Sequence, residues 1–322
     1  MPSGIINIDK SKLQNAMREM DFSAPSAFSK QESDYNAFYQ LDFETRYDDI
    51  EHGFGFLEVG REKIAVHSYV KKPAAGTVFV CHGYFDHVGL YRHVIEKLLT
   101  LGFSVIAWDL LGHGLSTGEQ GVVDDFNDYK KSLEAVLAAA QNTLQKPWHV
   151  VAQSTGAAIV MDYLLHLENN NNPFTKIVLL APLYRPRGWR MAKLRYYLAR
   201  PFVKFVEREP TRSSHDQSFI DFVSQDPLRI NHLSVQWVGE LIKWESQIKL
   251  LPATEEKVVI IQGRQDQTVD WKTNIKFIKE KFLNAQVHYI PEAKHHLVNE
   301  SAAIRNQVFD IMEHALIEDC CI

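Results

Sequence analysis

Ser154 stands in the run Val150-Val151-Ala152-Gln153-Ser154-Thr155-Gly156-Ala157-Ala158, where a β-type apolar stretch gives way to a helical one. A serine on so sharp a strand-to-helix turn has a strained backbone that crowds the residues two before and two after it, so both must be small. Here they are Ala152 and Gly156. Alone, the pentapeptide is a weak signal, because a serine before a helix also serves as a simple N-cap. A serine hydroxyl becomes a useful nucleophile only when a base takes its proton, and a carboxylate must hold that base in the right tautomer. Downstream, the apolar run 258–261 leads into Gln262-Gly263-Arg264-Gln265-Asp266, and a run ending at Ile290 leads into Pro291-Glu292-Ala293-Lys294-His295-His296. An acid just past one strand and a histidine just past the next suit acyl-transfer chemistry. Ser154 is then the nucleophile, Asp266 the orienting acid and His295 the base, although position alone leaves His296 open as the base.

A developing oxyanion also needs donors. In Val80-Cys81-His82-Gly83-Tyr84-Phe85-Asp86-His87, Gly83 allows a turn that aims the Tyr84 amide at the serine, where it would act with the amide of Thr155. His82 and His87 precede the nucleophile and are expected to fix this loop by hydrogen bonds.

The elements that must position these groups follow from periodicity. Residues 54–59 and 63–70 alternate like an antiparallel pair. Strand-like runs at 77–81, 105–108, 148–152, 177–181, 257–261 and 286–290 then alternate with helical spacing at 88–101, 124–144, 156–167, 272–282 and 299–316. The pattern predicts an α/β fold, a mostly parallel sheet covered on both faces. Residues 184–252 break the rhythm with a helical pattern and no convincing strand, an insertion between two strands of the sheet. Residues 1–50 are polar and weakly patterned, with one short helix expected near 9–20 and an extended lead-in after it. The expected organisation is an N-terminal extension (1–50), a core (51–183 and 253–322) and a helical insertion (184–252).

Composition bounds the rest. The 322 residues are 45% hydrophobic and 11% aromatic, enough for a packed core. No apolar run reaches the roughly 18–20 residues that span a bilayer, and the N-terminus lacks a basic-then-apolar leader. Cys81 lies in an apolar run, and Cys320 and Cys321 are adjacent. They form neither a disulfide framework nor a metal set, and Asp319 stands where a prenylation box needs cysteine. The expectation is a cytoplasmic protein without metal or cofactor. A net charge of −5 argues against nucleic acid as a partner.

Taken together, His82-Gly83-x-x-x-His87, Gly102-Phe103 before Ala107-x-Asp109, Gly112-His113-Gly114-x-Ser116-x-Gly118, the Ser154 turn, Gly263-x-x-Asp266-x-x-Val269 and Ala293-Lys294-His295 resemble the monoacylglycerol lipase and lysophospholipase branch of the α/β-hydrolase superfamily. The resemblance covers roughly residues 54–317. It implies an α/β-hydrolase fold with an eight-stranded sheet, a triad of Ser154, Asp266 and His295, and an oxyanion hole of the Tyr84 and Thr155 amides. It also implies structural roles for Asp109 and His113, and hydrolysis of a lipid-like monoester through an acyl-enzyme. Members commonly carry an acid after the base, where this chain has His296. Acyl transfer to another alcohol, or ligand binding without catalysis, are the alternatives on the same scaffold.

By the same resemblance 184–252 is a cap over the site. Its first part, from Arg185 to Val206, carries seven cations and no anion, with Leu194, Leu198, Phe202 and Phe205 at helical spacing. Trp189, Arg190, Lys193 and Arg195 are the candidate substrate-contacting residues. Two readings compete: an apolar face on the body with a solvated basic face, or a contact with anionic lipid, placing the protein transiently at a membrane. Asp226, Leu228, Trp237 and Trp244 are expected in the cap core. The residues carry nothing on oligomeric state.

Overall fold

The computed structural model describes residues 8–168, 171–207 and 212–317; Asn169, Asn170, Asp319, Cys320 and Cys321 lie outside the described residues. The chain runs through helices α1 (Lys10–Ala16) and α2 (Lys30–Tyr39), strands β1 (Ile50–Val59), β2 (Glu62–Lys71) and β3 (Thr77–Cys81), then α3 (Arg92–Thr100), β4 (Ser104–Trp108), α4 (Phe126–Ala140), β5 (Trp148–Gln153), α5 (Thr155–Leu165) and β6 (Phe174–Leu180). Next come α6 (Trp189–Ala199), β7 (Phe205–Glu207), α7 (Gln217–Ser224), β8 (His232–Ser234) and α8 (Val235–Ile248), and finally β9 (Val259–Gly263), α9 (Trp271–Lys281), β10 (Gln286–Ile290) and α10 (Ala302–Ile317).

Eight strands form one sheet in the order β1-β2-β4-β3-β5-β6-β9-β10. β1 pairs with β2, and β2 with β4, antiparallel; all other pairs are parallel. This is the expected α/β-hydrolase architecture. Its central strands are buried on both faces, which is why β3 reads as the unbroken run TVFVC. Alternate residues serve two cores. Phe79, Ile106, Val150 and Leu179 pack with α4, α5, α8 and α9, whereas Val78, Val80, Val105 and Val151 pack with α1, α2, α3 and α10.

The N-terminal segment differs from the extended lead-in expected after its first helix. α1 is present, but so is α2, closed by a capping box in which Ser29 Oγ accepts from Glu32 N–H and the Glu32 carboxylate accepts from Ser29 N–H. Leu13, Tyr35, Tyr39, Leu41 and Phe43 are buried in the second core. Residues 18–20 also hydrogen-bond the outer edge of β1, Phe56 N to Arg18 O and Met20 N to Phe56 O. That pairing covers an edge that would otherwise invite association.

Residues 184–252 carry α6, α7 and α8 and, contrary to the expectation of no strand, a short antiparallel ribbon of β7 with β8. No helix among the described residues is long and apolar enough to cross a membrane.

Candidate active site

Ser154 sits between β5 and α5 at φ 55° and ψ −113°, a left-handed conformation that costs about 1–3 kcal/mol for a non-glycine residue. Such strain persists only where neighbours hold it. Ser154 N–H donates to Leu180 O at 2.9 Å, and Leu183 N–H donates to Ser154 O at 3.1 Å. A Cβ on Gly156 would collide with the backbone carbonyls of Cys81 and His82, the latter at 2.6 Å, so the second flanking position has room only for glycine. Ala152, the first, is fully buried.

The three sequence candidates converge. His295 Nε2 lies 3.0 Å from Ser154 Oγ, and His295 Nδ1 lies 2.7 Å from Asp266 Oδ2. A carboxylate only accepts, so Nδ1 carries the proton and Nε2 is left to accept the serine hydroxyl's. The Asp266 carboxylate also accepts from Thr268 N–H (2.8 Å), Val269 N–H (3.1 Å) and the Gln262 side-chain amide (3.2 Å). Burial works against its charge, but the His295 imidazole and the two backbone amides outweigh it and hold the carboxyl below its ordinary range. Asp266 is therefore ionised wherever a histidine base can function. All three residues are nearly closed from solvent, with 8% of Ser154 and of His295 and 6% of Asp266 exposed.

The loop after β3 runs against Ser154: a Cβ on Gly83 would stand 3.2 Å from Ser154 Cβ. The Thr155 amide, as the first of α5, has no acceptor within the helix. The loop is pinned along its length. His82 Nε2 accepts from Leu110 N–H at 2.9 Å while its Nδ1–H donates to Gly83 O at 2.7 Å. Burial pushes this imidazole down to about 3, so it stays neutral and keeps both bonds. Gly83 N–H donates to Tyr91 OH, which donates to Asp86 Oδ2 at 3.0 Å. The Tyr84 ring stacks on Trp237 of α8 at 4.0 Å, and its hydroxyl donates to Gly121 O.

Residues 72–302 match the protein family described as serine aminopeptidase, S33. The chain belongs to this family. The monoglyceride lipase homolog of Monkeypox virus is 27% identical, over 73% of this chain and 87% of that protein. Human monoglyceride lipase is 25% identical, over 72% of this chain and 79% of that protein. The crystal structure of a soluble variant of monoglyceride lipase from Saccharomyces cerevisiae superposes with a TM-score of 0.69 at 19% identity, covering 81% of this chain and 92% of that one. The fold is that of an α/β-hydrolase, and the sequence is similar to these monoglyceride lipases over most of its length.

In this S33-family hydrolase the remaining candidates fall into place by contact. Asp109 accepts from Val88 N–H and Leu115 N–H, both at 2.7 Å, and His113 Nδ1–H donates to Leu111 O, so both shape loops. Asp226, Leu228, Trp237 and Trp244 are buried. Trp189 and Lys193 turn to one carboxylate: Glu245 of α8 accepts from Trp189 Nε1–H at 2.9 Å, from the Lys193 ammonium and from Arg185 Nε–H at 2.6 Å. They fasten α6 to α8. Arg190 and Arg195 are exposed. The reading that packs the apolar stripe of α6 on the body fails, because Leu194, Leu198 and Phe202 are 53%, 67% and 87% exposed.

Three pairings escape the sequence. His296 Nε2 meets Asp86 Oδ1 at 3.1 Å, His87 Nε2 meets Asp226 Oδ2 at 2.7 Å, and the Gln262 amide braces Asp266. Each joins positions far apart in the chain or within a turn, and no spacing rule would pair them. Among the described residues no group of three or more His, Cys, Asp or Glu is arranged to hold a metal ion.

Proposed function

We propose that this enzyme hydrolyses a lipid-like carboxylic monoester, a monoacylglycerol or a lysophospholipid, through an acyl-enzyme on Ser154. The observation that carries the reading is the continuous line Asp266–His295–Ser154, with 2.7 and 3.0 Å spacings, ending at a strained serine. His295 Nε2 takes the hydroxyl proton as Oγ attacks the ester carbonyl, and Asp266 stabilises the imidazolium that forms. The Tyr84 and Thr155 amides receive the oxyanion. As the tetrahedral adduct collapses, the bond from carbonyl carbon to alcohol oxygen breaks and His295 gives its proton to the departing alcohol. Water, deprotonated by the same imidazole, then attacks the acyl-serine, releasing the carboxylate and restoring Ser154.

The lipid-like substrate is supported by the kinship with monoglyceride lipases and by the face of α6 and the segment after it. There Met191, Leu194, Leu198, Phe202 and Val206 stand exposed beside the exposed cations Arg190, Arg195, Arg200 and Lys204. Apolar side chains rimmed by cations suit the boundary of an anionic lipid layer, where the charges attract and the side chains enter. The cap would thus touch the surface that holds the substrate.

The test is a hydrolysis panel crossing acyl length with glycerol, phosphoglycerol and phosphocholine head groups, together with a short p-nitrophenyl ester and an aminoacyl amide. Faster turnover of long-chain monoesters than of the short ester supports the reading. Preference for the aminoacyl amide would overturn it.

A further inference from the structure

The matched family begins at residue 72, yet Tyr39 of α2, well before it, is inserted under the cap. Its hydroxyl donates to Asp226 Oδ1 at 2.6 Å, and both residues are buried. The same carboxylate accepts from Leu228 N–H at 2.9 Å through Oδ1 and faces His87 Nε2 at 2.7 Å through Oδ2. His87 Nδ1 accepts from Gly89 N–H, so the Nε2–H is the one that points to Asp226. His87 closes the loop that starts at Gly83 and carries the Tyr84 amide. Three separate stretches thus meet at one buried carboxylate: the N-terminal segment, the cap after α7, and the oxyanion loop.

The fit around this joint is close. The Tyr39 ring meets the His87 ring edge-on at 5.0 Å and the Phe222 ring of α7 at 6.0 Å. A Cβ on Gly89 would stand 2.6 Å from the Tyr39 ring and 2.7 Å from the His87 ring. A buried carboxylate is costly unless its lone pairs are satisfied, and Tyr39 supplies one of the three donors named.

We infer that Tyr39 is a positioning residue for the ester hydrolysis proposed above: through Asp226 it fixes His87, and with it the loop that carries the Tyr84 amide. The N-terminal segment is in this sense part of the active-site scaffold. The inference rests on the Ser154 reading, and the loss it predicts is one of transition-state stabilisation and not of ground-state binding.

The experiment is a double-mutant cycle on the full chain with Tyr39→Phe, Asp226→Asn and both together, read as kcat and KM on one monoester, beside wild type and Ser154→Ala. Tyr39→Phe keeps the ring and removes one hydrogen bond to a charged group, so kcat should fall roughly tenfold with KM little changed. In the Asp226→Asn background the same change should cost much less than tenfold, because the charged acceptor is replaced by a neutral amide oxygen that holds both Tyr39 and His87 more weakly. Should Asp226→Asn fail to fold, His87→Gln takes its place in the cycle. Additive losses, or a lower melting temperature with kcat intact, would overturn the inference. Full activity in Ser154→Ala would instead overturn the Ser154 reading on which the inference rests, whatever Tyr39 does.

Discussion

His296 is hydrogen-bonded to Asp86 at 3.1 Å, while its neighbour His295 alone lies between Ser154 and Asp266. Adjacent imidazoles on one loop are thus turned to different carboxylates. The Asp86 carboxyl is buried, which opposes its charge, but the facing His296 prevails and draws it down to about 2. His295→Ala should lower turnover by several orders of magnitude, as loss of a triad base does elsewhere. His296→Ala leaves a buried carboxylate short of one partner, which costs about 1–3 kcal/mol of stability, yet it keeps the base and should keep substantial activity. Steady-state kinetics of the two variants decide the assignment, and the reverse ranking would move the base to His296.

The flanking positions of the serine differ in tolerance. Gly156→Ala must push the Cys81 and His82 carbonyls away, moving the strand end that leads into the oxyanion loop. Turnover should fall about 10²–10³-fold, the usual result of losing an oxyanion donor. Ala152→Gly creates no clash and should cost only about 0.5–1 kcal/mol in stability from added backbone freedom. Equal activity in both variants would contradict the packing described at Gly156.

Stability should decline on the acid side. Burial pushes the imidazoles of His82 and His113 down to about 3 and about 4. Unfolding returns each to an ordinary value of about 6.5, so below that pH the unfolded chain binds more protons. The stability these groups allow is present above about pH 6.5 and is lost as pH falls toward their folded values. The melting temperature should drop steadily from pH 7 to pH 4, and a flat profile there would contradict neutral, buried imidazoles.

The exposed face of α6 makes a separate prediction. Turnover on anionic vesicles should fall as salt rises, because each cation near such a surface contributes about 1 kcal/mol, screened within roughly 10 Å at 0.1 M salt. Turnover of a short neutral ester should barely change. Arg190, Arg195 and Lys204 changed together to glutamine should copy the effect of salt, and Phe202→Ser with Leu198→Ser should lower vesicle binding itself. An equal salt response from both substrates would leave the stripe as a solvated helix face.

The parts of this molecule legible in sequence were those that periodicity and short spacing encode. Buried parallel strands such as β3 announce themselves as unbroken apolar runs, and the serine turn needs its small neighbours within two residues. Helix α2 is not legible from periodicity, because its buried side is Glu32, Tyr35, Asn36 and Tyr39, which gives almost no apolar contrast. The Ser29-x-x-Glu32 capping box was its available signal. Spacing along α6 reveals an apolar stripe but not which way it faces, since tertiary contacts such as those of Trp189 and Lys193 with Glu245 orient that helix. The pairs Asp86–His296 and Tyr39–Asp226 are made by sheet topology from distant segments, and no local pattern carries them.

The central claim is that Ser154 is the nucleophile, and an active-site-directed fluorophosphonate tests it most directly. Incubated with the full chain and followed by peptide mass spectrometry, the reagent should form one adduct on the peptide containing Ser154. Labelling should vanish in Ser154→Ala and weaken strongly in His295→Ala. It should persist in His296→Ala. Stoichiometric labelling of a different serine, or unchanged labelling of Ser154→Ala, would contradict the account.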